Sequence, residues 1–149
     1  MEVQYPILAI DYGEKHFGLA ISDFKGILAS PLEVISITKN RGIDEVIKDI
    51  LALCEEYNAK TILVGMPQSF TEAHNTTEKK VLKFVEKLKL HTNIPILLHD
   101  ESFSTLSGQN MLRFSGQNIK NTRKKIDKIA ATVFLQEFLN SKNNNNGKI

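Results

Sequence analysis

The first half of the chain alternates apolar and polar residues in patterns typical of strands, followed by one helix. Residues 5–12 and 16–23 are apolar runs on either side of a turn that contains glycine, and this pattern predicts a β-hairpin. Residues 27–37 predict a third strand, in which Pro31 indicates an edge or bulged position because proline cannot donate a ladder hydrogen bond. Residues 42–57 repeat apolar positions at a spacing of three or four, which predicts a helix.

Strands and helices alternate in the second half of the chain. Residues 61–64 have the composition of a strand that is buried on both faces of a parallel sheet, and residues 94–98 predict a further strand. Helical periodicity covers residues 76–90 and 123–140. The inward-facing positions predicted for residues 76–90 are Val81, Leu82, Val85 and Leu88.

The order of these elements predicts an α/β fold. A three-stranded antiparallel meander followed by helix–strand units gives a mixed five-stranded sheet, with two parallel strands, that is flanked by helices. We expect residues 1–140 to form one domain, since a chain of 149 residues is long enough for a single core. Residues 104–114 predict a short helix and residues 115–122 a flexible loop. Residues 141–149, with four consecutive asparagines, predict a disordered tail.

Composition and charge narrow the functional classes. The net charge of +2 is too small to require a nucleic-acid partner, so any basic surface must be local. Cys54 is the only cysteine, which excludes an internal disulfide and a metal site built from several cysteines. Its place in an apolar helical stretch indicates a buried structural thiol. The pattern contains neither a signal peptide nor a membrane span, so we expect a cytoplasmic protein without a membrane partner.

Three acidic residues lie where the predicted elements could bring them together. Asp11 ends the first strand, Glu101 follows the last predicted strand, and Asp127 lies in the last helix. Each has an ordinary explanation: Asp11 as a turn residue, Glu101 as an acid near a helix start, and Asp127 as part of a solvated charged face. In α/β sheets, however, functional groups gather at the carboxyl ends of strands, which favours a shared site.

The periodicity of the last helix favours a position of Asp127 near the sheet. The apolar stripe predicted for this helix consists of Ile126, Ile129, Ala130, Val133, Phe134 and Phe138. Asp127 falls on the flank of the stripe, and Ala130 and Ala131 are small enough to let the helix approach the sheet closely. Glu137, which falls near the middle of the same stripe, does not fit this geometry.

Three converging carboxylates would suit hard divalent cations. Oxygen ligands fit Mg²⁺ or Mn²⁺ and disfavour zinc, and two such ions can orient a scissile phosphate and activate water. Together, Asp11, Glu101 and Asp127 therefore indicate a metal-assisted phosphodiester site. The four histidines have no zinc-like spacing, and only His99 is near the proposed site, where a strand-end role is the usual one.

A cluster of basic residues surrounds Asp127. Its members are Lys120, Arg123, Lys124, Lys125 and Lys128, within nine residues. Cations at a helix start interact unfavourably with the helix dipole, and they also repel one another. A bound polyanion would relieve this repulsion. We interpret the cluster as a candidate nucleic-acid-binding surface, with a solvated helix start as the ordinary alternative.

Four parts of the chain, taken in order, carry a resemblance to a known family. They are Ala-Ile-Asp-Tyr-Gly at 9–13 with Gly-Leu-Ala-Ile-Ser-Asp at 18–23, Val-Gly-Met-Pro at 64–67, Asp-Glu at 100–101 with Ser-Thr at 104–105, and Lys-Ile-Asp-Lys-Ile-Ala-Ala at 125–131. With these motifs the chain resembles the YqgF family of ribonucleases, also described as Holliday-junction-resolvase-like proteins. The resemblance implies an RNase H-like fold, a nuclease site at Asp11, Glu101 and Asp127 with Mg²⁺ or Mn²⁺, and a role in maturing the 5′ end of pre-16S rRNA.

The chain departs from the family pattern in two places. Members usually have Asp-Glu-Arg after the late strand, whereas Ser102 stands in place of the arginine and removes a phosphate-binding guanidinium. The segment 106–109 lacks the acids that often follow Ser-Thr, and Gly108 weakens the predicted helix.

Three other functions are weighed against an rRNA nuclease. A Holliday-junction-type DNA resolvase would use the same acids on branched DNA. A nucleic-acid-binding protein without nuclease activity would use only the candidate nucleic-acid-binding surface. A sugar kinase or actin-like ATPase also begins with an Asp-x-Gly hairpin, but needs a second lobe for which 149 residues leave no room. The sequence pattern does not decide whether the protein is a monomer or a dimer.

Overall fold

The computed structural model describes residues 3–66, 72–100 and 129–142, which form five strands and three helices. The strands are β1 (Ile7–Asp11), β2 (His16–Ser22), β3 (Ala29–Ser36), β4 (Thr61–Met66) and β5 (Ile96–Asp100). The helices are α1 (Ile43–Glu56), α2 (Glu72–His91) and α3, which covers residues 129–142 within the described part of the chain.

The five strands form one mixed sheet, as predicted. The strand order is β3-β2-β1-β4-β5, with β1 antiparallel to β2 and β2 antiparallel to β3. The strands β1, β4 and β5 run parallel to one another. They therefore end on the same side, which we call the carboxyl end of the sheet and which includes Asp11. The side on which they begin is the amino end of the sheet.

Pro31 lies on an outer strand and beside a bulge, in agreement with the sequence prediction. In the ladder between β2 and β3, Leu19 pairs with Glu33 and Ala20 pairs with Pro31, so Leu32 is an extra residue of β3. An outer, bulged strand tolerates the missing N–H donor of a proline.

The alternation of side chains along β1 divides the core into two layers. Leu8 and Ile10 contact the layer that includes α1 and α2, whereas Ile7 and Ala9 contact the layer that includes α3. We call these the first and the second face of the sheet. Residues 61–64 are also buried on both faces, as predicted. The α/β sandwich expected from the order of elements is confirmed.

Helix α1 begins and ends close to the predicted positions. Its first turn carries Asp44 and Glu45, which suit the positive end of the helix dipole, and Glu45 Oε2 accepts a hydrogen bond of 3.1 Å from the Gly42 N–H. The side chains that α1 buries are Val46, Ile47, Ile50 and Cys54. Burial raises the pKa of the Cys54 thiol to about 11, so this cysteine is a buried structural thiol, as predicted.

Helix α2 starts at Glu72 rather than at residue 76, and one of its predicted inward positions was wrong. Leu82 is 44% exposed, whereas Phe84, which the sequence analysis omitted, is buried. The buried side chains of α2 are Val81, Phe84, Val85 and Leu88. They follow the spacing of one helix face, and Leu82 lies outside that face.

The apolar face of α3 is rotated relative to the predicted stripe. The fully buried residues are Ala130, Ala131, Phe134, Leu135 and Leu139. Val133 is only partly buried, and Glu137 lies at the border of the buried face rather than at its middle. The small size of Ala130 and Ala131 allows the close approach that was predicted, because both are buried.

Several element boundaries differ from the predicted ones. β4 and β5 each extend two residues beyond the predicted end, and α3 includes residues 141 and 142, which were assigned to the tail. The helix predicted over 104–114, the loop predicted over 115–122 and the rest of the tail, 143–149, lie outside the described residues. Among the described helices, none is long and apolar enough to cross a membrane.

Candidate active site at the carboxyl end of the sheet

Asp11 is carried to the carboxyl end of the sheet by a strand that is otherwise buried. The four residues before it, 7–10, have no exposed surface, and Asp11 is the first residue of β1 that is partly exposed. Because side chains alternate along a strand, Asp11 belongs to the same face as Ile7 and Ala9, which is the face that α3 covers. The strand thus places a carboxylate at the rim of the second face.

Glycines lie beside Asp11 on both neighbouring strands. Gly18 of β2 is paired with Asp11, and Gly65 of β4 follows Val64, which is the β4 partner of Ile10. Neither glycine has a side chain that could cover the carboxylate. The sequence analysis included both glycines in the family motifs but did not predict that they lie beside Asp11. The available signal was a glycine inside an apolar strand, which marks a close approach of another group.

The turn after Asp11 is tightly constrained. A Cβ atom at Gly13 would collide with the backbone carbonyl oxygen of His16, so only glycine fits at this position. His16 Nδ1 lies 2.7 Å from Ser36 Oγ, and this hydrogen bond joins the end of the turn to β3. The turn is therefore held on both sides, which fixes the direction in which β1 ends.

Helix α2 packs against the same turn from the first face. The Tyr12 ring meets Phe17 edge to face, with ring centroids 5.2 Å apart, and lies 5.4 Å from the Phe84 ring of α2. Next to it, Lys80 Nζ of α2 donates a hydrogen bond of 2.6 Å to Glu14 Oε1. The sequence analysis missed this pair because its two members are 66 residues apart.

The charges of this turn influence one another. Burial raises the pKa of the Tyr12 hydroxyl, and the positive charge of Lys80 counteracts part of that effect. The hydrogen bond from Lys80 lowers the pKa of Glu14, and the same contact raises the pKa of Lys80. Both groups are exposed, so salt screens the pair and either partner can exchange to another ion.

His99 joins the carboxyl end of β5 to α3. Its ring stacks on Phe134 with ring centroids 5.7 Å apart, and it meets Phe138 edge to face at 5.9 Å. In the sheet, His99 is paired with Gly65, one of the two glycines beside Asp11. His99 therefore packs α3 against the site, in keeping with the strand-end role expected for it.

Helix α3 makes contacts at both ends of the sheet. Phe134 contacts His99 near the carboxyl end. Gln136, two residues further along α3, contacts the β2–β3 turn at the amino end. Its Oε1 accepts a hydrogen bond of 2.9 Å from the Ala29 N–H, and its Nε2 donates one of 2.8 Å to the Ile27 carbonyl. The described part of α3 thus connects the end of β5 with the β2–β3 turn.

Most of the other residues predicted for the site lie outside the described part of the chain. These are the acids Glu101 and Asp127, Ser102, and the basic residues Lys120, Arg123, Lys124, Lys125 and Lys128. Among the residues that are described, no group of three or more histidines, cysteines or acids is arranged to hold a metal ion. The meeting of Asp11 with the other two acids therefore stays a prediction.

A comparison with known families assigns this chain to one of them. The family model described as "RuvX: Holliday junction resolvase" matches residues 5–141. This chain belongs to the RuvX family. The resemblance seen in the sequence motifs is confirmed, and the match to RuvX includes all five strands and nearly all of the described part of α3.

Curated relatives and solved structures agree with the RuvX assignment. A protein of Geobacillus kaustophilus, named as a candidate pre-16S rRNA nuclease, is 38% identical over 91% of this chain and 97% of its own length. A protein of the same name from Clostridium acetobutylicum is 36% identical over 91% and 98%. T. thermophilus RuvC, solved in complex with a Holliday junction substrate, has a TM-score of 0.57 at 13% identity, over 93% of this chain and 95% of that one. This last likeness shows the fold alone, and it confirms the RNase H-like architecture that was predicted.

Proposed function

We propose that this chain is a divalent-metal-dependent nuclease that hydrolyses phosphodiester bonds, and that it acts in the cytoplasm on the 5′ end of pre-16S rRNA. The observation that carries the proposal is the position of Asp11, at the carboxyl end of the buried central strand of a RuvC-like sheet. Ligands and catalytic groups of α/β sheets gather at this end. Membership of the RuvX family and the names of the curated relatives support the substrate class.

The sequence positions of Glu101 and Asp127 support a site shared with Asp11. Position 101 follows Leu97 and His99 at intervals of four and two residues, and both of these contact the layer that includes α3. Position 127 precedes Ala131 and Phe134 by four and seven residues, which is the spacing of residues on one helix face. Both Ala131 and Phe134 are buried against the second face, the face to which Asp11 belongs.

The donor set fits a hard divalent cation. Carboxylate oxygens are the ligands that Mg²⁺ and Mn²⁺ prefer, and Asp11 is partly exposed beside two glycines. In such sites, the chemistry that two bound cations supply is activation of the attacking water and stabilisation of the charge on the phosphate. The task of the chain itself is to hold the carboxylates in place. The constrained turn at Gly13 follows Asp11, and the packing of His99 on Phe134 joins the end of β5 to α3, which supports this role.

The proposal is tested by neutral replacement of each acid. Asp11→Asn, Glu101→Gln and Asp127→Asn should each lower turnover by about a hundredfold or more, because even indirect changes around a metal site cost roughly ten- to a hundredfold. The readout is cleavage of an RNA that spans the 5′ end of 16S rRNA and its leader, with Mg²⁺ or Mn²⁺ and after chelation by EDTA. Glu33→Gln, which neutralises an exposed acid of β3, is the control and should cleave like the wild type.

Each outcome of this experiment tests a different part of the proposal. Near-wild-type turnover of Asp11→Asn would remove the candidate site altogether, whereas retained turnover of Asp127→Asn alone would reduce the site to two acids. Activity that survives EDTA and is unchanged by added Mg²⁺ would contradict the metal dependence. Circular dichroism of each variant must match that of the wild type for the loss to be assigned to chemistry.

A DNA-junction resolvase is the second candidate function. It is favoured by the description of the family and by the structural likeness to a RuvC bound to a Holliday junction. A four-way DNA junction assayed beside the RNA separates the two, since a resolvase should cut the junction in symmetrically related strands and leave the RNA intact. Binding of either substrate without cleavage by the wild type would support the third reading, a nucleic-acid-binding protein without nuclease activity.

A further inference from the structure

Helix α2 presents lysines on the side that faces away from the sheet. Its buried face is formed by Val81, Phe84, Val85 and Leu88. At 100° per residue, Lys79 and Lys83 lie opposite that face, one turn apart and separated by about 6 Å along the helix axis. Both are exposed, and Glu86 is the exposed acid that follows them. Like charges at this spacing repel each other, so the pair destabilises the isolated helix slightly.

The lysines of α2 differ in the partners that they have. Lys80 is paired with Glu14 at 2.6 Å, and Lys87 lies 3.7 Å from Asp44. The ion pairs formed between described residues do not include Lys79 or Lys83. Lys79 and Lys83 are exposed, so an anion that approaches from solvent can reach them, and a polyanion would remove their mutual repulsion.

This part of α2 lies at the same end of the sheet as Asp11. Lys80 contacts Glu14 and Phe84 contacts Tyr12, and both partners belong to the turn that follows Asp11. Lys79 and Lys83 are the exposed neighbours of these two contacts on the helix. The last turn of α2 is at the opposite end, because it leads through Thr92 into the start of β5. The position of the lysines along α2 therefore relates them to the candidate site.

We propose that Lys79, Lys80 and Lys83 bind the phosphate backbone of the nucleic acid where it passes from the Asp11 site onto the first face of the sheet. The inference rests on the proposed function, and it adds a surface of substrate contact on the layer opposite α3. Lys80 makes its phosphate contact by exchanging Glu14 for the substrate. That exchange is easy because the pair is exposed, at 46% for Lys80 and 66% for Glu14.

The first experiment measures how salt affects binding. Affinity of a fluorescein-labelled RNA stem with a single-stranded 3′ extension, and of a four-way DNA junction, is measured in EDTA across a series of KCl concentrations. Lys79→Ala with Lys83→Ala should make the log–log slope shallower by roughly 1.4 for single-stranded contacts or roughly 1.8 for duplex contacts, at 0.7 or 0.9 per phosphate.

The matched control removes the same charge from the amino end of the sheet. Lys60 immediately precedes β4 and Lys89 lies in the last turn of α2, and both are exposed. Lys60→Ala with Lys89→Ala should change the slope by less than half as much. Equal changes in the two double variants would overturn the proposal, because they would reduce the effect to net charge.

The second experiment tests the exchange at Lys80. Glu14→Gln should tighten binding of the same probes, because the phosphate no longer competes with a carboxylate. In a Lys80→Ala background the gain should disappear, since the double-mutant cycle isolates the coupling of these two residues. A gain of the same size with and without Lys80 would show that Glu14 acts only through its charge, and would remove Lys80 from the proposal.

The two proposals fail in different ways. If the lysine surface is wrong but the chain is a nuclease, the double variant keeps its salt slope while Asp11→Asn still loses cleavage. If the chain binds but does not cleave, the slope changes while no variant has a cleavage activity to lose. Lys79 and Lys83 lie on the side of α2 that faces away from the sheet, so cleavage at saturating RNA should fall much less than affinity in the double variant.

Discussion

Gly13 is the residue on which the turn after Asp11 depends. Because an added Cβ would collide with the backbone of His16, Gly13→Ala must displace the turn rather than a flexible side chain. We expect a loss of about 1–3 kcal/mol in the free energy of unfolding, the usual cost of forcing extra atoms into a packed site. We also expect the folded fraction to lose most of its cleavage, since the direction of Asp11 changes. Urea unfolding and single-turnover cleavage measure the two effects.

Gly26 provides the comparison for Gly13. It has a positive φ of 71°, and a Cβ there would collide with the ring of Tyr5, so Gly26→Ala should also destabilise the protein. This residue lies in the β2–β3 turn at the amino end of the sheet, whereas Asp11 lies at the carboxyl end. The folded fraction of Gly26→Ala should therefore cleave normally. If both variants lose activity in proportion to stability alone, Gly13 has no special relation to the site.

Cys54 makes stability depend on alkaline pH. Its pKa is about 11 in the folded chain and 9.0 for an ordinary thiol, so the folded state keeps a proton that the unfolded state loses. The contribution is complete below pH 9 and declines as the pH rises towards 11. The stability of the wild type relative to Cys54→Ala should fall by about 2 kcal/mol between about pH 8 and about pH 10.5. The measurement is urea unfolding of both proteins at the two pH values. An unchanged difference between their free energies of unfolding would contradict this prediction.

At the scale of elements, Gln136 fastens α3 to the β2–β3 turn. Its amide satisfies the Ala29 N–H and the Ile27 carbonyl, and Ala29 is buried. Gln136→Ala should cost about 1–3 kcal/mol, because it leaves a buried donor without its partner. The Ala29 amide should also exchange its hydrogen faster. Asn140→Ala is the control, since it removes only the contact of 3.1 Å between the two side chains, and unchanged protection of Ala29 in Gln136→Ala would contradict the role.

The elements themselves could be predicted better than the faces that they bury. β1 and β2 were predicted because apolar runs around a glycine turn have few other interpretations. The buried face of α3 was predicted only in part, with Ala130 and Phe134 correct, because residues 129–139 are apolar around most of the helix and periodicity alone cannot choose a side. Its true direction is set by contacts with the sheet, such as the stacking of Phe134 on His99.

At the scale of the whole molecule, the sequence predicted a carboxylate at the end of the central strand but not its surroundings. Asp11 could be predicted because a charge at the end of a buried strand is uncommon. Gly65 becomes a neighbour of Asp11 only through the strand order, which the pattern of residues does not determine. The pairing of Glu14 with Lys80 likewise depends on where α2 packs. Local patterns thus predict the chemistry, and tertiary contacts determine which cations are available to a substrate.

The distribution of basic residues predicts that one nucleic acid contacts both layers. Lys79 and Lys83 lie on α2, in the layer of the first face, whereas Lys124 and Lys125 come shortly before the described part of α3 in the sequence, and α3 packs on the second face. Lys124→Ala with Lys125→Ala should flatten the salt dependence of binding by about one to two units of slope, and should affect cleavage at saturating substrate much less. An unchanged slope would favour the ordinary alternative, in which these two lysines belong to a solvated helix start and do not bind nucleic acid.

Combining the two pairs of substitutions tests whether the layers act together. If a single strand or junction crosses the carboxyl end of the sheet and contacts both layers at once, the quadruple variant should lose the sum of the two slope changes, because distant and independent contacts add. If the layers are alternative binding surfaces for the same stretch of backbone, the quadruple variant should lose little more slope than the stronger double variant. Additive loss, with Asp11 between the two layers, is the outcome that a substrate drawn across the site requires.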